Sequence, residues 1–139
     1  MIELAGPETA RYVAEHLGPD EICVKEYGRE NAAELCFETA RDSTLSWVVV
    51  SRDGEPVCLF GADGDEGDSW GSAWMFSTEN IGRAAKEVIQ GARVAINYAL
   101  ENHWPELRII AEDRTSKQTK FLELIGFRPS SDDPRELVI

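Results

Sequence analysis

The sequence predicts an α/β chain of the α+β kind, with a mixed, mostly antiparallel sheet and flanking helices. Three observations carry this reading. From Leu45 to Gly61 the apolar pattern changes from helical to strand-like spacing around a polar turn. The longest periodic segment runs from Arg83 to about Asn102, with Ala85, Val88, Ile89, Ala92, Ala95, Ile96, Ala99 and Leu100 at helical spacing. The strand-like run LRIIAE follows it, so strand, long helix and strand form a crossover, and the strands around Trp74 and Ile109 should lie parallel.

The elements follow in order. Glu8 to Leu17 reads as a short helix, with Pro7 in its first turn, Tyr12, Val13 and Leu17 near one face, and Gly18-Pro19 to stop it. A second helix is expected from Asn31, a good N-cap, to Ala40, with Ala33, Cys36, Phe37 and Ala40 as its apolar stripe. Leu45–Ser51 and Pro56–Gly61 form a hairpin whose Asp53-Gly54 supplies the turn. DGDEGD, residues 63–68, is a polar loop before a strand from Ser69 to Thr78. After the long helix, closed by Trp104-Pro105, come the strand Leu107–Glu112 and a helix from Ser116 to Ile125 ended by Gly126. A short strand, Glu136–Ile139, completes the order. No internal repeat or linker interrupts it, and a length of 139 residues suits a single domain over residues 1–139.

Charge narrows the classes of partner. With 26 acidic against 14 basic side chains the formal net charge is -12, which argues against general binding to nucleic acid or anionic lipid. A local basic pocket for one phosphate-bearing ligand remains compatible with it. Cys23, Cys36 and Cys58 are widely spaced, and His16 and His103 stand alone, so no metal site is expected and reduced, buried thiols are the ordinary reading. DGDEGD alternates carboxylates as a calcium loop does but lacks the distal glutamate, so a flexible charged hairpin loop is expected there. No apolar run approaches the roughly 18 to 20 residues of a membrane span, and MIELAGPETA has no signal-peptide character. A soluble protein, in a host cytoplasm or a virion interior, is the expectation. The tryptophans Trp47, Trp70, Trp74 and Trp104 read as core or edge packing.

The segment FLELIGF, Phe121 to Phe127, after a strand and a short helix, resembles the end of GNAT N-acetyltransferases, where a helix reads roughly A-x-x-x-Y-x-x-x-GF. The meander, long helix and crossover occur in the order of that fold. A closer resemblance is to the GNAT-like internal virion proteins of short-tailed phages. It is carried by Trp74, Phe76, Ser77 and Thr78 at the end of the fourth strand, and by Asp113, Thr115, Ser116, Phe121, Leu122, Ile125 and Gly126. The resemblance covers nearly the whole chain, with its informative part between Trp47 and Phe127.

It implies a GNAT fold with a splayed parallel strand pair, and acetyl-CoA as the ligand held in the notch between those strands. The splay is expected after Phe76, with Trp74, Met75 and Phe76 offering backbone groups to pantetheine. The pyrophosphate would lie on the amides at the start of the long helix, at Gly82, Arg83, Ala84 and Ala85, where unpaired N–H groups and the helix dipole suit an anion. Glu79 departs from that pattern, since a carboxylate repels phosphate; an ordinary helix start capped by Asn80 or Thr78 is the competing reading. Leu122 stands where these enzymes often carry the tyrosine that protonates the departing thiolate, and it can neither donate nor accept a proton. Thr115 replaces a common asparagine and keeps a hydroxyl. A general base would be sought at Asp113 or Glu112, which read equally as solvated acids at a strand end.

Two functions follow. One is a GNAT-like phage or prophage protein acting as an acyl-CoA-dependent N-acetyltransferase, with an amine acceptor and a degenerate site. The other is a non-catalytic phage or prophage protein that uses the fold to bind phage structural proteins. An acidic surface suits a basic partner or a polyamine-like acceptor alike.

Overall fold

The computed structural model describes residues 2–111, 117–133 and 135–139. In chain order the elements are β1 (Ile2–Leu4), α1 (Pro7–Glu15), α2 (Ile22–Tyr27), α3 (Arg29–Asp42), β2 (Leu45–Val50), β3 (Pro56–Asp63) and β4 (Gly71–Ser77). A 3₁₀ turn (Ile81–Ala84) then leads into α4 (Ala85–Asn102), followed by β5 (Leu107–Ile110), α5 (Lys117–Leu124), β6 (Arg128–Pro129) and β7 (Glu136–Val138). The strands form one seven-stranded sheet in the order β1-β2-β3-β4-β5-β7-β6.

Strand alternation sorts the side chains onto two faces. Leu45 and Val49 of β2, Cys58 and Phe60 of β3 and Met75 of β4 pack with Val88, Ala92 and Ala95 of α4, Leu122 of α5 and Phe127 just after it, completing one core. Val48, Leu59 and Phe76 face the other way, against Val13 and Leu17 from α1 and its end, and Ala32 and Cys36 from α3. Both faces of the sheet are therefore covered, which is why VVV and VCLF read as nearly continuous apolar runs.

The order expected from sequence is present, with corrections at its edges. Asn31 is not the cap of α3: the helix begins at Arg29, and Gly28 occupies the cap position at φ 82°, a backbone setting that glycine adopts readily. Asn31 instead donates its side-chain amide to the Tyr27 carbonyl, 3.0 Å away. The first helix stops at Glu15, so Leu17 lies past its end, in an antiparallel bridge with Thr78. The long helix begins at Ala85 rather than Arg83, because the 3₁₀ turn takes the preceding residues. β1, α2 and β6 were not anticipated. The 63–68 loop is fastened: Asp63 Oδ1 accepts from the Thr44 N–H and hydroxyl, and Asp68 Oδ2 accepts from the Asp65 N–H at 2.7 Å. Among the described residues no helix is long and apolar enough to cross a membrane, and no three His, Cys, Asp or Glu side chains gather as metal ligands.

Hydrogen bonding in the middle of the sheet positions the site. β4 pairs with β3 along its length, from Ser72 opposite Asp63 to Ser77 opposite Cys58. With β5 it is parallel, as expected, but only at Gly71–Leu107 and Ser72–Arg108. β5 keeps its antiparallel pairing with β7 through Ile110. The splay therefore opens after Ser72, earlier than the expected point after Phe76. β4 is held in place from the β3 side by Gly61, where the Trp74 ring lies against bare backbone. A Cβ at Gly61 would run into the Leu45 carbonyl and come within 2.5 Å of the Trp74 ring.

Gly61→Ala should therefore cost about 2 kcal/mol of unfolding free energy by urea titration. Gly82→Ala, where a Cβ would meet nothing within 4 Å, should change it by less than about 0.5 kcal/mol.

Candidate functional site

Backbone groups within a sheet need partners, and β4 loses one neighbour after Ser72. Trp74 and Phe76 turn their N–H and C=O toward β3, so Met75 and Ser77 turn theirs to the opened edge. Side chains and loops from elsewhere complete that edge. The Ser77 N–H donates to Glu21 Oε1 at 2.9 Å, and the Ser77 hydroxyl donates to the same oxygen at 2.6 Å. The Gly18 N–H donates to the Ser77 carbonyl at 3.0 Å. Further down the strand, Gln118 Nε2 donates to the Met75 carbonyl at 3.3 Å.

Glu21 is a functional candidate that the sequence reading missed. It is 8% exposed, and burial raises its carboxyl above the ordinary glutamate range, while the Ser77 hydrogen bonds pull partly the other way. Nothing local in GPDEICV marks it as buried; its contact with Ser77 spans 56 positions. Cys36 and Cys58 are buried, and burial pushes the Cys36 thiol up to about 12 and that of Cys58 further still. Cys23 is only half-buried.

Gln118 is the second missed residue. In the pattern A-x-x-x-Y-x-x-x-GF, with Gly126-Phe127 as its end, position 118 is the small alanine and position 122 the tyrosine. Here a carboxamide long enough to cross the splay takes the first place. Its hydrogen bond, between neutral groups, contributes about 1 kcal/mol net.

Between the sheet and α4 lies a cavity of about 20 Å³, walled by Trp47, Phe60, Met75, Ile96, Ile109 and Leu122 among others. That is room for about one water molecule. Among the described residues, those that line it are all apolar or aromatic. Leu122 is 3% exposed and part of the core.

Of the other residues singled out, Trp74 and Phe76 send their side chains to the α1/α3 face, and Met75 sends its own to the α4 face. Trp74 Nε1 donates to the Ser43 hydroxyl at 2.8 Å, fixing the ring. Thr115, Asp113 and Glu112 lie outside the described residues. At the start of α4, Gly82, Arg83 and Ala85 are exposed and Ala84 is buried. A ligand can approach the Gly82 backbone freely. The Arg83 N–H is already donated to the Asn80 carbonyl at 3.0 Å. The Asn80 side chain is held by the Glu55 carboxylate at 2.8 Å, which also accepts from the Tyr12 hydroxyl at 3.1 Å. Glu79 precedes this point, and Glu87, paired with Arg52 at 3.3 Å, sits in the first turn of the helix. The helix dipole favours an anion here; Glu55 and Glu79 oppose it.

No family model matches the chain, and no curated protein matches it. Solved structures do. A GNAT-family acetyltransferase from Staphylococcus aureus superposes with a TM-score of 0.73 at 13% identity, covering 99% of this chain and 96% of its own. Aminoglycoside 6'-acetyltransferase type Ii gives 0.70 at 14% identity, covering 99% and 94%. A GNAT-family N-acetyltransferase from Escherichia coli, solved in complex with CoA, gives 0.67 at 13% identity, covering 99% and 79%. The chain has the GNAT fold: a mixed sheet with the parallel β4–β5 pair and flanking helices. Identities this low speak for the fold and leave the chemistry to the side chains.

Glu21 makes a prediction with a definite sign. Its folded carboxyl binds a proton more tightly than the unfolded one. The resulting stability is fully present below the ordinary carboxylate range and is lost as pH rises through the raised folded value. Glu21→Gln should match wild type near pH 4 and melt at a higher temperature at pH 7, the gap opening as pH rises. Asp42 and Asp133, held below their usual range by Arg41 and Arg135, act with the opposite sign and cancel in this comparison.

Proposed function

We propose that this chain keeps the GNAT fold as a binding scaffold with efficient acyl transfer lost. The setting is the one implied by its resemblance to phage internal virion proteins: a phage or prophage protein that engages structural proteins of the particle. The observation that carries this reading is the floor of the splay. Leu122 is buried there, at the position of the tyrosine in the acetyltransferase pattern, and the described residues around it are apolar or aromatic. Loss of a positioned general acid costs about 10²–10⁴-fold in rate. The carboxylates of Glu55 and Glu79 near the start of α4 add a further penalty against a diphosphate. A net charge of -12 draws such a scaffold toward basic partners.

A second reading, acyl transfer from acetyl-CoA to an amine, is favoured by Glu21. A carboxylate whose proton affinity is raised by burial, at the open edge of β4, is the type of group that accepts a proton from an ammonium. The acceptor would be a polyamine or aminoglycoside-like amine, as for the spermidine N-acetyltransferase and aminoglycoside 6'-acetyltransferase of similar fold. One assay separates the readings. With acetyl-CoA and a panel of primary amines, thiol release should stay at the rate of the protein-free control. Release well above that rate, abolished by Glu21→Gln, would overturn the scaffold and establish the transferase.

A further inference from the structure

We infer that Gln118 is a latch that keeps the β4–β5 notch shut against a linear, amide-bearing ligand such as the pantetheine arm of CoA. The argument starts from the unpaired edge. Beyond Ser72, β5 no longer faces β4, yet the Met75 carbonyl still points into the gap. An extended ligand entering the notch would hydrogen-bond to that carbonyl through an amide N–H, as an added strand does. Gln118 already makes that bond with its own carboxamide, at 3.3 Å, from the first turn of α5. The donor chemistry is the same, an amide N–H onto a peptide carbonyl, so ligand and side chain compete for one acceptor.

Three features make the contact a latch rather than part of the core. Gln118 is only partly buried, whereas Thr119 and Leu122 on the same helix are buried. Its hold on β4 is one neutral hydrogen bond, which a ligand can replace like for like. Near it, between the sheet and α4, lies the cavity of about 20 Å³ that Met75 of β4 and Leu122 of α5 help to wall. The same helix position is the small alanine of the acetyltransferase pattern, which would leave the carbonyl open. This inference rests on the reading above only in taking the notch as the ligand's path, and it holds whether or not transfer occurs.

Calorimetric titration of CoA, and separately of pantetheine without its phosphates, into wild type, Gln118→Ala and Gln118→Leu tests it. Gln118→Ala removes both the bond and the bulk and should bind both probes about fivefold or more tighter than wild type. Gln118→Leu keeps the bulk without the bond and should fall between them. Matching thermal midpoints for the three proteins establish that each is folded. Equal affinities in wild type and Gln118→Ala, including no binding by either, would overturn the latch. Thiol release by wild type in the transfer assay would sink the scaffold reading while leaving this comparison intact.

Discussion

A strand that loses one neighbour partway along must find other partners for the backbone groups it exposes, or leave them unpaired at a cost of about 1–3 kcal/mol each when buried. β4 is such a strand. Its partner β5 leaves after Ser72 and stays with β7. Two distant pieces of chain bond to the remaining edge: Gly18 and Glu21 on Ser77, and Gln118 on the Met75 carbonyl. The α1–α2 connection is thereby fastened to the end of β4, and α5 to its middle. If a ligand enters by this gap, as proposed, the groups along that edge decide what can enter.

The interior of the gap points the same way. Apolar side chains from the sheet, α4 and α5 meet beneath the Gln118 contact with little space between them, and Leu122 belongs to the main core. Opening the gap for a ligand would expose part of that packing at about 25 cal/mol per Å² of apolar surface. At the start of α4 the backbone is accessible, but Glu55, tied to Asn80 and Tyr12, brings a negative charge beside it. Closed edge, apolar floor and the carboxylates near the start of α4 come from different elements, and the proposed loss of acyl transfer rests on all three.

Much of this was legible in the sequence, and the remainder has a physical reason for being hidden. Asp53-Gly54 between two apolar runs announced the β2–β3 hairpin, and the spacing from Ala85 to Leu100 announced α4. Gly126, at φ 123°, closes α5 as FLELIGF suggested. β1 is three residues long and is defined by its pairing with residues 47–49, which no local pattern encodes. α2 buries none of its six residues, so it shows no apolar stripe. The burial of Glu21 and the reach of Gln118 depend on contacts 56 and 43 positions away. Leu122, by contrast, was singled out by the resemblance of FLELIGF to the acetyltransferase pattern.

The central claim is that the chain's own groups, Gly18, Glu21 and Gln118, occupy the open edge of β4. A crystal structure grown with millimolar CoA tests it most directly. The account predicts the Gln118 carboxamide on the Met75 carbonyl, Glu21 on Ser77, and no ligand density between β4 and β5. Pantetheine lying along β4, with Gln118 turned away and the diphosphate on the amides of Gly82 to Ala85, would contradict it.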